Sequence, residues 1–231
     1  GYRHGGLRSS NPQQKAMEFP KKLRMAMLMN ELPGREAQLR MAHITRSRYV
    51  EAPPEARVAA VMLTLFPKEE NWNLLLIKRK TVHGDRHSGQ IGFPGGKFEP
   101  EDGTLIQTAL RETEEEVGIA RREINVLGPL TDLYIPVSNF VVHPYVGVLD
   151  RQPAYRLQES EVSKVFEKPI RHFLDPTARK ITDIRVGEGL SLKNVPYFDL
   201  EGEVLWGATA MILSEFLEII KSNFSGDSSA F

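Results

Sequence analysis

The stretch Gly95-Gly96-Lys97-Phe98-Glu99-Pro100-Glu101-Asp102, continued by Arg111-Glu112-Thr113-Glu114-Glu115-Glu116-Val117-Gly118-Ile119, decides the reading of this chain. A glycine turn leads into a segment that carries four glutamates in five residues. On a helix, Glu112, Glu115 and Glu116 stand at i, i+3 and i+4, so one face gathers them within a turn. Like charges at that spacing repel and weaken an isolated helix. A bound divalent cation is the simplest compensation, because hard cations prefer carboxylate oxygen. The plain alternative is a solvated helix face, since glutamate is itself a strong helix former. Three neighbours favour the cation. Arg111 precedes the acidic set and can orient it by a bidentate ion pair. Gly118 sits where a helix end wants a residue tolerant of φ > 0. Phe93-Pro94-Gly95-Gly96 brings a backbone turn close to the acidic face.

Working outward, residues 57–66 form a β-branched and apolar run that reads as a buried strand, and 74–79 as a second, with 67–73 a long hairpin loop between them. Residues 104–117 form the acidic helix, with Leu105, Ala109, Leu110 and Val117 as its buried side. Strands are expected at 124–133, 140–149, 162–168, 181–186, 190–193 and 195–200, and a short helix at 169–174. A helical stripe over 19–32 ends at Pro33-Gly34, and a 3.6-residue period over 206–220 closes the chain as a helix. The Met-rich face of the first helix reads as core or subunit contact. Strands thus predominate between a few helices, which is the pattern of an α/β or α+β sandwich. Residues 1–18 read as a poorly ordered lead-in, 19–222 as a single domain and 223–231 as a flexible tail.

Composition narrows the function. Of 231 residues, 41% are hydrophobic and 26% charged, the profile of an ordinary globular domain. Lys plus Arg balance Asp plus Glu at 30 each. With no global basic field, wrapping of long nucleic acid is disfavoured. Cysteine is absent, so disulfides, thiolate nucleophiles and Cys-type zinc sites are excluded. No apolar run reaches the length a membrane helix requires and no signal peptide is visible, so a cytoplasmic location is expected.

The acidic segment resembles the box of the Nudix hydrolase family, G-x5-E-x7-R-E-U-x-E-E-x-G-U, with U an aliphatic residue. Arg111, Glu112, Glu115, Glu116, Gly118 and Ile119 match in register. Thr113 stands at the first aliphatic position. Gly96 and Asp102 take the places of the first Gly and Glu, with one extra residue between Asp102 and Arg111. Upstream, Leu75-Leu76-Ile77-Lys78-Arg79-Lys80 and Arg86-His87-Ser88-Gly89-Gln90-Ile91-Gly92-Phe93-Pro94-Gly95-Gly96 resemble the L-L-x-x-R-S…G-x-x-x-F-P-G-G motif of the coenzyme A pyrophosphatase branch, with Lys80 in place of Ser. Leu32-Pro33-Gly34-Arg35-Glu36-Ala37-Gln38 and Trp206-Gly207-Ala208-Thr209-Ala210 look like flanking segments of the same branch.

The resemblance implies an α/β/α sandwich with a mixed central sheet. It also implies hydrolysis of a pyrophosphate bond in a nucleoside diphosphate derivative, with Mg²⁺ or Mn²⁺ as cofactor and coenzyme A or acyl-CoA as the expected substrate. Glu112, Glu115 and Glu116 are then the expected metal ligands and, with Arg111 as their orienting partner, the catalytic set. Arg79, Arg86, His87, Gly95 and Gly96 are the expected substrate contacts: the basic cluster of Arg79, Lys80, Arg86 and His87 for an extra phosphate, the glycines for close backbone approach. Glu159 and Glu161 are candidates for a general base on a later loop. The rival readings are the same chemistry on ADP-ribose or NADH, and a nucleotide-sensing module without turnover. The second is disfavoured by the intact glutamates. A homodimer is a further expectation.

Overall fold

In the computed structural model, residues 12–46, 48–81, 90–187, 189–226 and 230–231 are described. Helix α1 (Pro12–Met29) and short helix α2 (Gly34–Leu39) lead into strand β1 (Arg57–Lys68) and strand β2 (Asn71–Arg79). Next come β3 (Ile91–Gly92), β4 (Gly95–Lys97), α3 (Leu105–Val117), β5 (Asn125–Pro129), β6 (Leu133–Ile135) and β7 (Phe140–Val148). The rest of the chain supplies β8 (Val162–Pro169), α4 (Ile170–Leu174), β9 (Arg179–Arg185), β10 (Ser191–Leu200), β11 (Glu203–Leu205) and α5 (Gly207–Phe224). The main sheet has eight strands in the order β3-β2-β1-β7-β5, with β4 on β1, β6 on β7 and β8 on β2. It is mixed: β1 and β7 run parallel, and the other pairs antiparallel.

The apolar runs of β1 and β2 lack a polar face because both faces are covered. Ala60, Met62 and Phe66 of β1 and Leu75 and Ile77 of β2 pack with Ala109, Leu110 and Val117 of α3. Leu63, Leu65, Leu74 and Leu76 point to the opposite face, where they join Phe19 and Leu23 of α1 and Leu213, Phe216 and Ile220 of α5. The result is an α/β/α sandwich. A second sheet, β11-β10-β9, stands apart from it in pairing.

One departure from a regular sheet positions the site. β1 and β2 pair only beside their turn, from Leu65↔Leu74 to Lys68↔Asn71, and then splay. The segment from Gln90 to Phe98 fills the opening. On one flank Ile77 and Lys78 pair with β3, and on the other Ala59, Ala60 and Val61 pair with β4. Three further backbone bonds fix it: Arg79 N–H to Gln90 O (3.0 Å), Met62 N–H to Pro94 O (2.9 Å) and Phe98 N–H to Val58 O (2.9 Å). The glycine turn is therefore built into the sheet, directly over α3.

Several expectations are corrected. The β1–β2 connection is a tight two-residue turn, not a long loop: Glu69 (φ 50°) and Glu70 (φ 64°) adopt left-handed backbone that matches the twist of a hairpin. The strand expected over 124–133 is two strands, β5 and β6, because Thr131 and Asp132 turn away from the sheet: Thr131 bonds Glu215 of α5, and Asp132 bonds Arg35 and Gln38 of α2. The strands expected at 190–193 and 195–200 are one strand, β10, whose register shifts around Asn194 (φ 56°), a bulge that bends without breaking the pairing. The first helix spans Pro12–Met29 rather than 19–32, so the expected lead-in is partly helical. The expected flexible tail also carries core residues: Phe19 stacks within 5.1 Å of Trp72, 5.2 Å of Phe224 and 6.1 Å of Phe231. No helix among the described residues is long and apolar enough to cross a membrane.

Candidate active site

α3 has clear start and stop signals. Thr104 caps it, its side chain accepting a hydrogen bond from Gln107 N–H at 3.2 Å. Gly118 ends it in left-handed conformation (φ 79°). The stop is also a packing requirement, since a Cβ on Gly118 would lie 2.8 Å from Arg156 N. The segment around Arg156 crosses the end of the helix there. Arg156 N–H bonds Val117 O and Gln158 N–H bonds Glu116 O, both at 2.9 Å, so two of the helix's last carbonyls are satisfied by a strap of chain.

Arg111 is the hub of the acidic face. Its Nε and Nη2 grip Asp102 at 2.6 and 3.1 Å, its Nη1 reaches Glu112 at 3.0 Å and Glu115 at 3.2 Å, and Nη2 also donates to Lys97 O at 3.2 Å. Asp102 is itself held by Thr108 Oγ1 (2.8 Å) and Glu99 N–H (3.0 Å). The Arg111 guanidinium holds the Asp102 carboxyl far below the usual carboxylate range, and Asp102 raises Arg111 in turn. Asp102 thus anchors Arg111 from across the extra residue. Arg111, the expected orienting partner, contacts both Glu112 and Glu115.

Glu116 is buried at the other end of the face. Its Oε1 accepts from Gly95 N–H at 2.8 Å, and its Oε2 pairs with Arg79 Nη1 at 2.8 Å. Burial pushes its carboxyl up despite Arg79. Glu112 lies between, with its carboxyl pushed up to about 7, first by burial and then by the charges of Glu116 and Glu115, against the pull of Arg111. Glu115 is half exposed. The three glutamates therefore share a face but turn toward two guanidinium groups. Among the described residues, no three His, Cys, Asp or Glu side chains converge on one point.

The donor set fits a divalent cation of the oxygen-loving kind. It is all carboxylate, and Glu112 carries negative charge that its surroundings under-compensate. Space is left as well: a Cβ on Gly96 would fall 2.6 Å from the Glu112 carboxyl, so the missing side chain keeps the region above Glu112 open. Gly95 has a different role. A Cβ there would sit 2.4 Å from Ala60 O, so this glycine lets β4 pack on β1.

The structure thus brings together Arg79, Gly95, Gly96, Arg111, Glu112, Glu115 and Glu116. Arg86 and His87 lie outside the described residues. Glu161 is exposed on the segment leaving the strap, and its carbonyl accepts from Lys80 N–H at 2.9 Å, next to Arg79. Glu159 is exposed and further along the loop. The described histidines are engaged elsewhere: His43 bonds Lys193 O and Thr45, His172 bonds Asp199 O, and His143 is lowered by burial. Tyr134 bonds Asn139, and Phe140 lies under Arg57. Sequence reasoning missed the Arg156–Gln158 strap, for which no local pattern exists. It left Asp102 undecided, although its spacing to Arg111 was the available signal.

Comparison with known proteins gives the family and the fold. A NUDIX domain model matches residues 55–183. The chain is 37% identical over 155 residues to a Yersinia enterocolitica protein named "Uncharacterized Nudix hydrolase NudL", covering 67% of this chain and 77% of the relative. A Yersinia pestis protein of the same name is 36% identical over 170 residues, covering 74% and 82%. Among solved structures, a MutT/nudix family protein from Enterococcus faecalis superposes with a TM-score of 0.50 at 13% identity, covering 91% of this chain and 77% of the other, which speaks to the fold alone. The fold and the acidic helix define a Nudix-type protein. The chain belongs to the Nudix family, the pyrophosphohydrolases of nucleoside diphosphate derivatives.

Proposed function

We propose that this chain is a Mg²⁺- or Mn²⁺-dependent diphosphatase acting on coenzyme A or its thioesters, releasing 3′,5′-ADP and (acyl-)4′-phosphopantetheine. The observation that carries the reading is that one buried face of α3 presents Glu112 and Glu116 directly beneath the Gly95-Gly96 turn, with Arg79 at its edge. The coenzyme A preference rests on the upstream motif, whose described part runs along β2 to Arg79 and resumes through β3 to the glycine turn.

Glu112, Glu115 and Glu116 would hold the cation. When bound, it would supply Lewis-acid polarisation of the phosphoryl oxygens and a more acidic water. The chain's own residues do the rest. Arg111, fixed by Asp102, sets the rotamers of Glu112 and Glu115 and keeps their charge from dispersing. Gly96 leaves room for a phosphate above Glu112. Arg79, partly exposed beside Glu116, is proposed to meet an anionic substrate, and Arg86 and His87 to read the additional 3′-phosphate. Glu161, beside Arg79 and Lys80, is the later-loop carboxylate best placed to accept a proton.

The deciding experiment is turnover of a panel of diphosphates by purified protein with Mg²⁺ or Mn²⁺. Coenzyme A is expected to be cleaved with the highest kcat/KM. Good turnover of ADP-ribose or NADH without coenzyme A cleavage would overturn the substrate while keeping the chemistry, since the scissile bond is the same.

A further inference from the structure

The Glu116 side chain is 3% exposed, and both its oxygens are occupied, one by a backbone N–H and the other by a guanidinium. The partners differ in freedom. Gly95 N–H belongs to the strand segment locked between β1 and β2, and a Cβ at Gly95 has no room, so this donor cannot withdraw. Arg79 reaches Glu116 from the rim: its side chain is 26% exposed, and among the described residues its other side-chain hydrogen bond is a long 3.3 Å one to Phe93 O. Arg111, the other guanidinium at the site, is clamped by the doubly bonded Asp102. One of the two guanidiniums is fixed, and the other is poised to leave.

A dication that uses Glu116 competes with Arg79 for Oε2. Two positive charges on one carboxylate repel each other appreciably at the effective dielectric of a partly exposed site. Arg79 must yield, and since its side chain is already partly exposed, an anionic substrate oxygen can replace Glu116 as its partner.

We infer that Arg79 is a displaceable counter-ion of Glu116: it holds the carboxylate in the absence of a cation and is released toward the substrate's anionic oxygens when one enters. This rests on the proposed function and adds to it a coupling between cation and substrate binding, which by linkage acts in both directions. Arg79 is on this account a positioning residue for the metal site as well as a substrate contact.

The test is Mn²⁺ binding alone, read as free Mn²⁺ by electron paramagnetic resonance at pH 8.5, so that it does not depend on turnover. Arg79→Gln removes the competitor and is expected to tighten Mn²⁺ binding roughly fivefold to tenfold. Arg79→Lys, which keeps the charge but not the fork, is expected to fall between, and serves if Arg79→Gln does not fold. Lys80→Gln removes the same charge from the next, exposed position and should change the affinity less than about twofold. A residue that merely supports the fold would weaken the site when replaced, so unchanged or weaker Mn²⁺ binding in both Arg79 variants overturns the inference. An equal tightening in Lys80→Gln overturns it too, because it would assign the effect to general charge. Absence of Mn²⁺ uptake by the unmodified protein would overturn the cation-dependent function itself, a distinct failure.

Discussion

Gly95 and Gly96 are neighbours, yet a methyl group added to each meets a different obstacle. At position 95 it runs into the backbone of β1, which cannot move without tearing the pairing at Val61. Gly95→Ala is expected to cost about 3 kcal/mol of stability, measured by urea unfolding. At position 96 the obstacle is the Glu112 carboxyl, the far end of a flexible chain. Gly96→Ala should fold almost normally but lose roughly a hundredfold in kcat through the displaced carboxylate. If both variants lose stability equally, the division of labour is wrong. Asp102 gives a pH prediction. Its carboxyl is held below the usual range by Arg111, so it stabilises the fold above the unfolded value of about 4, and that contribution fades as pH falls below it. Between pH 5 and pH 3 the native protein should lose Tm more steeply than Asp102→Asn, as followed by thermal circular dichroism, and parallel curves would refute the assignment.

At the scale of elements, α3 is tied down at both ends by residues that its sequence advertises unequally. The Thr104 cap and the Gly118 stop are readable in advance, because each is a local chemical requirement. The strap at Arg156 and Gln158 is not, because backbone N–H groups carry no residue signature and their partners lie some forty positions earlier. β3 and β4 were equally hidden. Gly92, Gly95 and Gly96 weaken any strand signal, and these segments extend only because the splayed β1 and β2 offer them bonds. The three glutamates were legible from spacing, but their division between two guanidiniums was not, since Arg79 comes from a different strand. Gly118→Ala joins the two kinds of constraint. It combines a strained φ with a clash against Arg156, and should cost about 2–4 kcal/mol and expose the strap to proteolysis at Arg156. An unchanged trypsin pattern would count against the strap's dependence on this glycine.

For the molecule as a whole, Glu215 joins parts that are far apart in sequence. It is fully buried on α5 and accepts from Thr131 N–H (2.8 Å), Thr131 Oγ1 (2.5 Å) and Gly34 N–H (2.7 Å), so the start of α2 and the break between β5 and β6 meet on one carboxylate. Arg35 reinforces the same junction from α2, pairing with Asp132 at 2.6 Å. Glu215→Ala should remove about 3 kcal/mol, lowering Tm by roughly 6–12 °C. A drop under about 2 °C would show that the junction contributes little. The layers themselves were readable from the apolar runs, while this junction was not, since a lone glutamate in a helical stripe looks like a solvated position. The hairpin apex has the widest reach of all. From Glu69-Glu70 the two strands run like the legs of a compass, and Ala60, where the glutamate-bearing helix is roofed, lies roughly 30 Å down one of them. Lengthening that remote reversal by a single residue would alter the angle between the legs, so the aperture above Glu112 is set partly by two surface residues that never touch it.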